Sequence, residues 1–228
     1  MKPIKIFKVK GIEIKLLQVS RVYKPSTATR LIAENLPEME GLNVLDLGTG
    51  SGVLAILSSK LGASRVVATD VSRRVLRTAE ANLRLNNISN VELRLGSLYN
   101  PIQRGERFDV IISNPPMTPS PNPLPRYTWG GIDGRAVLDP VIKNAAYHLR
   151  DGGKLIVPAV SLVGIGETLR LMRETGFKVR VLDYSTYPFG STLLRLRDYL
   201  KKLPNADYFY DQYGRPRWRI VLFEGVKI

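Results

Sequence analysis

The chain has 228 residues, enough for one large domain or one domain with an appendage, and 44% of them are hydrophobic, which supplies a sizeable core and argues against disorder. There is no cysteine and one histidine, His148, so disulfides and thiolate metal sites are excluded, and the single histidine argues against a histidine metal cluster or a Ser-His-Asp triad. The formal net charge is +14, and residues 1–30 hold eight Lys/Arg (Lys2, Lys5, Lys8, Lys10, Lys15, Arg21, Lys24, Arg30) against Glu13 alone, a basic bias that favours polyanions, RNA above all.

No apolar run approaches the roughly 18–20 residues of a membrane span. The start, Met1-Lys2-Pro3-Ile4-Lys5, lacks a signal-peptide layout, so no membrane association and a cytoplasmic location are expected. Residues 4–22 alternate around Gly11 and predict a β-hairpin. Residues 26–36 predict a helix with Ser26 as cap and Pro37 just past its end. Strands and helices then alternate. Strands are expected at 44–47, 65–69, 91–95, 108–113, 154–157, 178–183 and 217–224. Helices are expected at 52–61, 72–86 (capped by Ser72), 134–149 (ended near Gly152-Gly153) and 166–174. This rhythm points to parallel βαβ units. The expected fold is α/β: a doubly wound, mostly parallel, seven-stranded Rossmann-like sheet with an N-terminal β-hairpin and an antiparallel last strand. Two domains are expected, a basic hairpin at 1–25 and the main domain at 26–228, with 188–216 as an insertion before the last strand.

Two stretches interrupt the rhythm. Thr118–Asp133 carries prolines at 119, 121, 123 and 125, and a loop this long beside a crevice is usually functional. Pro188–Pro216 contains a basic helical stretch, Leu193–Leu203, and the aromatic run Tyr208-Phe209-Tyr210. The basic stretch suits phosphate contact or a solvated amphipathic face. The aromatic run suits base stacking or a strand at the core's edge.

Val44-Leu45-Asp46-Leu47-Gly48-Thr49-Gly50-Ser51-Gly52 is a strand entering a glycine-rich turn, where backbone can approach a ligand closely and the next helix offers free N–H groups. Asp70 ends the next strand, 22 residues after Gly48, where a carboxylate accepts both hydrogen bonds of a ribose diol. A dinucleotide fingerprint needs G-x-G-x-x-G/A, but Val53 occupies its last position. Asp46 would also repel a pyrophosphate. It suits a cationic amino-acid group, and S-adenosylmethionine brings an ammonium, a sulfonium, a ribose diol and no phosphate.

Asn114-Pro115-Pro116-Met117 follows the apolar strand Phe108–Ser113. Prolines remove donors and fix the backbone. The turn therefore aims an amide side chain and a backbone carbonyl into the crevice at the strand ends. That pair of acceptors suits a planar amino group with two N–H donors. The expectation is that the Asn114 side-chain oxygen accepts one N–H and the Pro115 carbonyl the other. Both bonds would strengthen as positive charge grows on the attacking nitrogen. His148 is expected to be structural.

The segments Asp46–Gly52, Asp70 and Asn114-Pro115-Pro116 resemble the class I S-adenosylmethionine-dependent methyltransferases, in particular the HemK/PrmC-type branch that modifies amide or exocyclic amino nitrogens. Val22-Tyr23-Lys24-Pro25 with Thr29 is similar to that family's opening segment, and Trp129–Arg135 to its Gly-Gly-x-x-Gly stretch. The resemblance covers about residues 11–184. It implies that Asp46, Gly48, Thr49, Gly50, Ser51 and Gly52 hold the methionine part, that Asp70 holds the ribose, that Ser97 and Leu98 flank the adenine, and that Asn114, Pro115, Pro116 and Met117 form the acceptor turn. Position 97 is Ser where many relatives place Asp. Met117 replaces a usual aromatic; Tyr127 or Trp129 either supplies the missing aromatic face or simply packs the loop. Thr27 and Ala28 replace acidic residues.

The resemblance implies an N-methyltransferase acting on a protein glutamine of release-factor type, with a small zinc-binding activator as a partner in archaeal and eukaryotic relatives. The basic charge favours the alternative, an RNA methyltransferase acting on an exocyclic base amine. A non-catalytic RNA-binding module is disfavoured by the intact Asn-Pro-Pro turn, and a nucleotide-cofactor oxidoreductase by Asp46 and Val53.

Overall fold

The computed structural model describes residues 3–17 and 25–228. Strands β1 (Ile4–Val9) and β2 (Ile12–Leu17) form an antiparallel hairpin. Its turn residues Lys10 and Gly11 have φ of 50° and 74°, the positive pair of a type I′ turn whose twist matches the strands. Alternation sends Phe7, Val9, Ile14 and Leu16 to the buried face. Residues 18–22 of the expected hairpin, and Val22–Lys24 of the expected opening segment, lie outside the described residues.

Helix α1 (Thr27–Asn35) begins in a capping box, with the Ser26 hydroxyl accepting from the Thr29 N–H and the Thr29 hydroxyl from the Ser26 N–H. Then follow β3 (Asn43–Leu47), α2 (Val53–Lys60), β4 (Arg65–Asp70), α3 (Arg73–Leu85), β5 (Val91–Leu95) and β6 (Phe108–Ser113). Next come α4 (Leu138–His148), β7 (Leu149–Val160), α5 (Ile165–Glu174) and β8 (Phe177–Pro188). The chain ends with α6 (Ser191–Arg195), α7 (Arg197–Leu200), β9 (Phe209–Tyr210) and β10 (Pro216–Lys227).

The main sheet runs β5-β4-β3-β6-β7-β10-β8, with β9 paired to the start of β10. Neighbours from β5 to β7 are parallel, and β10 is antiparallel to both β7 and β8. The inner strands are near-continuous apolar runs because helices cover both faces. From β3 the chain moves to β4 in one direction, and from β6 to β7 in the other. Right-handed crossovers therefore put α2 and α3 on one face and α4 on the other. The reversal between β3 and β6 opens a crevice at their carboxyl ends.

Three expectations change at element ends. Helix α4 starts at Leu138, because 130–137 is a compact turn in which the Ala136 N–H bonds the Gly130 carbonyl at 2.8 Å. Strand β7 begins at Leu149, directly after the helix, and Gly152-Gly153 lie in a register shift between the Phe108–Leu149 and Val110–Lys154 pairs. They make a bulge within a strand rather than a helix end. The single basic helix expected at Leu193–Leu203 is two short helices bent at Leu196, which lets Leu200 reach the core.

The hairpin packs on α1, α2 and α3. Asn82 on α3 and Asn86 at its C-cap, one turn apart, stitch it down: Asn82 Oδ1 accepts from the Leu17 N–H at 2.8 Å, and Asn86 bonds both backbone groups of Lys15. Among the described residues no helix is long and apolar enough to cross a membrane.

Candidate active site

The turn after β3 is built by three glycines with φ of 77°, 57° and 82° at Gly48, Gly50 and Gly52. An added Cβ at Gly48 or Gly50 would meet no atom within 4 Å, so both face open space, whereas at Gly52 it would meet the Ala79 Cβ at 3.3 Å. The first two leave a cradle and the third lets α3 pack closely. The cradle opens into a cavity whose walls include Thr29, Gly48, Gly50, Ser51 and Asn114.

Asp46 lies beneath it, 1% exposed. Its Oδ2 accepts from the Thr49 hydroxyl at 2.7 Å. Burial pushes its carboxyl up to about 6, opposed by the bonds from Thr49 and from the Ala55 backbone. Among the described residues Asp46 makes no ion pair. A buried carboxylate without a cation is poised for one, since an ammonium nearby restores its ionised form. Asp70 ends β4. Its Oδ2 accepts from the Gly50 N–H at 3.2 Å and its Oδ1 from the Ser72 N–H at 2.9 Å. Burial raises its carboxyl, while these N–H groups and Arg126 of the 118–133 loop act the other way. Each Asp70 oxygen retains acceptor capacity for a diol hydroxyl. The open cradle, buried acid and edge acid together fit a cationic amino acid joined to a nucleoside.

Gly96 follows β5, and its N–H bonds the Asp70 carbonyl at 3.0 Å. Exposed Ser97 and half-buried Leu98, with φ of 50°, are thereby set beside Asp70. The segment behind them is held by Arg94, whose guanidinium bonds Glu92, Glu106 and the Pro101 carbonyl.

Across the crevice Asn114 follows β6. Its Nδ2 donates to Thr29 Oγ1 at 3.0 Å, and among the described residues its Oδ1 has no donor. Pro115 and Met117 are buried and Pro116 half-buried, so the Met117 side chain joins the core. The 118–133 loop folds on itself: Thr118 bonds Thr128 and Gly130 through its backbone, and Trp129 Nε1 bonds the Ser120 carbonyl at 3.2 Å. Trp129 packs the loop, and Tyr127 is 46% exposed. At Gly134, with φ of 81°, an added Cβ would lie 2.7 Å from the Met117 carbonyl oxygen. Buried Arg135 clamps the loop's end, bonding the Val163 carbonyl at 2.7 Å and Thr168 Oγ1 at 3.0 Å, with an ion pair to Asp139 at 2.7 Å.

The glycine turn, Asp46, Asp70 and Asn114 thus converge on one crevice from three strand ends. Sequence reasoning missed two contributors. By sequence Thr29 belongs to the opening segment; in the structure it is the partner of Asn114. Asn82, fully buried, donates from Nδ2 to the Ser51 carbonyl at 2.8 Å and so ties the glycine turn to the hairpin. A polar residue on the buried stripe of α3 is the signal that marks it. His148 ends α4, where its ring stacks on Tyr99, centroids 4.5 Å apart, and burial pushes its pKa down. Among the described residues no cluster of His, Asp or Glu can hold a metal ion.

Residues 20–183 match the family described as methyltransferase small domain. The chain is 31% identical over 195 residues to a protein of Methanocaldococcus jannaschii named, provisionally, a protein N5-glutamine methyltransferase; the match covers 83% of this chain and 96% of that one. It is 32% identical to the release factor glutamine methyltransferase of Aliivibrio fischeri, over 72% of this chain and 51% of that one. It is 31% identical to the ribosomal protein L11 methyltransferase of Lactobacillus johnsonii, over 68% of this chain and 43% of that one. The chain therefore spans nearly all of the archaeal relative and about half of the two bacterial ones. In fold it is similar to the Thermus thermophilus 16S rRNA N2 G1207 methyltransferase in complex with AdoMet and guanosine, with a TM-score of 0.69 at 20% identity, covering 99% of this chain and 50% of that one.

Proposed function

Because the chain belongs to the methyltransferase small domain family and is an S-adenosylmethionine-dependent methyltransferase, we propose that it methylates the side-chain amide nitrogen of a protein glutamine, in a substrate of the release-factor type. The observation that carries the substrate class is the 31% identity, over 83% of this chain and 96% of that one, to the Methanocaldococcus jannaschii protein named for N5-glutamine methylation; what carries the geometry is the bond from Asn114 Nδ2 to Thr29. It fixes the amide so that Oδ1 is the group turned to an incoming N–H donor.

In this reading the bound cofactor supplies an electrophilic methyl on a sulfonium. Asp46 and the cradle at Gly48–Gly52 hold its amino-acid end, Asp70 its ribose, and Ser97 and Leu98 flank its base. Asn114 Oδ1 and the Pro115 carbonyl accept the two N–H bonds of the glutamine amide and face its nitrogen to the methyl. An amide nitrogen is a poor nucleophile because its lone pair is delocalised. Both acceptor bonds strengthen as the nitrogen gains positive charge, so they favour the transition state over the ground state. Holding the reactants in line at ~3–3.5 Å supplies roughly 7–11 kcal/mol of the barrier in favourable cases. No strong base is needed before attack: the nitrogen–methyl bond would form as the sulfur–methyl bond breaks, the sulfur would leave as a neutral thioether, and the surplus proton on nitrogen would pass to water afterwards.

Residues 26–228 form the methyltransferase domain in this proposal, and residues 1–25 a basic appendage to it. The same two acceptors would serve an exocyclic base amine, and the +14 charge favours that second reading. Labelled S-adenosylmethionine in a cell extract separates them by whether label enters protein or RNA. Asn114→Ala is expected to abolish transfer while leaving cofactor affinity intact. Near-normal transfer by that variant contradicts the assignment.

A further inference from the structure

The insertion lies on the acceptor side of the crevice. In the sheet, the proposed cofactor residues sit on β3 and β4, Asn114 follows β6, and the insertion joins β8 to β10 at the far end. Because β10 is antiparallel to β7, its first residues meet the last of β7, with Ile220 opposite Val160. Residues 189–215 therefore emerge at the same edge as Asn114. Two contacts fix them there. Tyr199 donates its hydroxyl to the Ile132 carbonyl of the 118–133 loop at 2.9 Å. Ser161, just past β7, bonds both backbone groups of Asp207 at 2.7 and 2.8 Å.

The inner side of the insertion is used for packing: Leu200 and Phe189 are buried, and Leu193, Leu196 and Tyr208 lean on the core. Its outer side carries charge and rings. Residues 189–215 hold five Lys/Arg against three Asp. Asp198 is paired with Lys201 and Asp211 with Arg215, while Arg195, Arg197 and Lys202 are exposed and make no ion pair among the described residues. In the turn between β9 and β10, Asp211 Oδ1 accepts from the N–H groups of Tyr213 and Arg215, both at 3.0 Å. It presents Tyr210 and Tyr213 at 53% and 70% exposure. The Arg215 guanidinium lies 4.8 Å over the Tyr213 ring. Arg197 and Lys201 act electrostatically on Tyr208, whose ring meets that of Tyr210 edge-on.

We propose that this face docks a single-stranded RNA chain beside the acceptor crevice, Arg195, Arg197 and Lys202 contacting phosphates and Tyr210 and Tyr213 stacking on bases. Unpaired cations match a phosphodiester backbone, and exposed flat rings interleaved with arginine match unstacked bases. An acidic peptide would use the cations and leave the rings unused. The inference does not rest on the glutamine reading, because it concerns a surface outside the crevice.

The test is anisotropy of a fluorescein-labelled single-stranded RNA of mixed sequence titrated with the full chain. Arg195→Glu/Arg197→Glu/Lys202→Glu is expected to weaken binding at least tenfold and to flatten the log–log salt dependence by about 2, the slope of three single-strand phosphate contacts. Tyr210→Ala/Tyr213→Ala is expected to weaken it by ~10-fold or more. Thermal midpoint and cofactor affinity should stay as in the parent. Lys5→Glu/Lys8→Glu on the hairpin should leave RNA binding in place. Unchanged RNA affinity in both insertion variants, loss of binding in the hairpin variant alone, or competition by polyglutamate equal to that by RNA overturns the proposal. None of these readouts involves methyl transfer, so failure here is separate from failure of the glutamine assignment.

Discussion

The Asn114 side chain donates from Nδ2 to the hydroxyl oxygen of Thr29, 3.0 Å away and 85 residues earlier in the chain. Thr29 is itself held by the capping box of α1, so a helix start sets the rotation of the amide at the acceptor turn. Thr29→Val removes the acceptor and lets the amide flip. Turnover is expected to fall by about 10–100-fold, the range of a modest misplacement, while Thr29→Ser keeps the bond and restores most of the rate. Steady-state kinetics of both variants, with cofactor affinity measured separately, checks this.

With Asp46 in the role proposed for it, cofactor binding is expected to depend on pH. In the free protein its carboxyl is raised to about 6 by burial. A bound ammonium favours the carboxylate, so binding releases a proton below that value and tightens as pH rises to about 6, then levels off. Asp46→Asn should bind weakly and without this dependence. For the fold the sign is opposite: the native state holds the proton more tightly than the unfolded chain, so this group's contribution to stability falls by roughly 3 kcal/mol as pH rises from about 4 to 6. Calorimetry in two buffers of different ionisation enthalpy reads the proton directly.

Asn82 has both a donor and an acceptor committed inside the protein, to the Ser51 carbonyl and the Leu17 N–H. Asn82→Leu keeps the branched outline of the side chain and leaves both backbone groups unpaired, at about 1–3 kcal/mol each. A loss of about 3 kcal/mol in urea unfolding is expected, together with weaker cofactor binding because Ser51 belongs to the glycine turn.

Gly134 abuts the acceptor turn from behind. A methyl group there would press on the Met117 carbonyl and the Val163 side chain at a φ of 81°. Gly134→Ala is expected to destabilise by about 1–3 kcal/mol and to lower turnover more than cofactor affinity, since the displaced backbone carries Asn114 and not the glycine turn. Paired unfolding and kinetic measurements check both halves.

Much of this was legible in the residues. Apolar runs bounded by glycine or a capping serine located β3, β4, β6, α2 and α3, and the spacing of Asp46, the glycines and Asp70 placed these residues together at the crevice end of the sheet. What was not legible depends on distant partners. Gly152-Gly153 reads as a helix stop, but only the pairing of Phe108 with Leu149 shows that the strand has already begun. Residues 134–137 have helical composition, yet the close approach of Gly130 to Gly134 commits them to a turn. The bond between Thr29 and Asn114 joins an N-terminal helix to a mid-chain turn, and no local pattern in either segment encodes it.

The central claim is that Asn114 presents a glutamine amide nitrogen to the methyl group. Its most direct measurement is mass spectrometry of a release-factor-type glutamine peptide after incubation with the protein and S-adenosylmethionine, fragmenting the product to locate the methyl. The expected result is one methyl on the glutamine side-chain nitrogen with the parent protein and none with Asn114→Ala. A methyl on another residue, a methylated glutamine that persists undiminished with Asn114→Ala, or an unmodified peptide alongside a methylated base in RNA contradicts it.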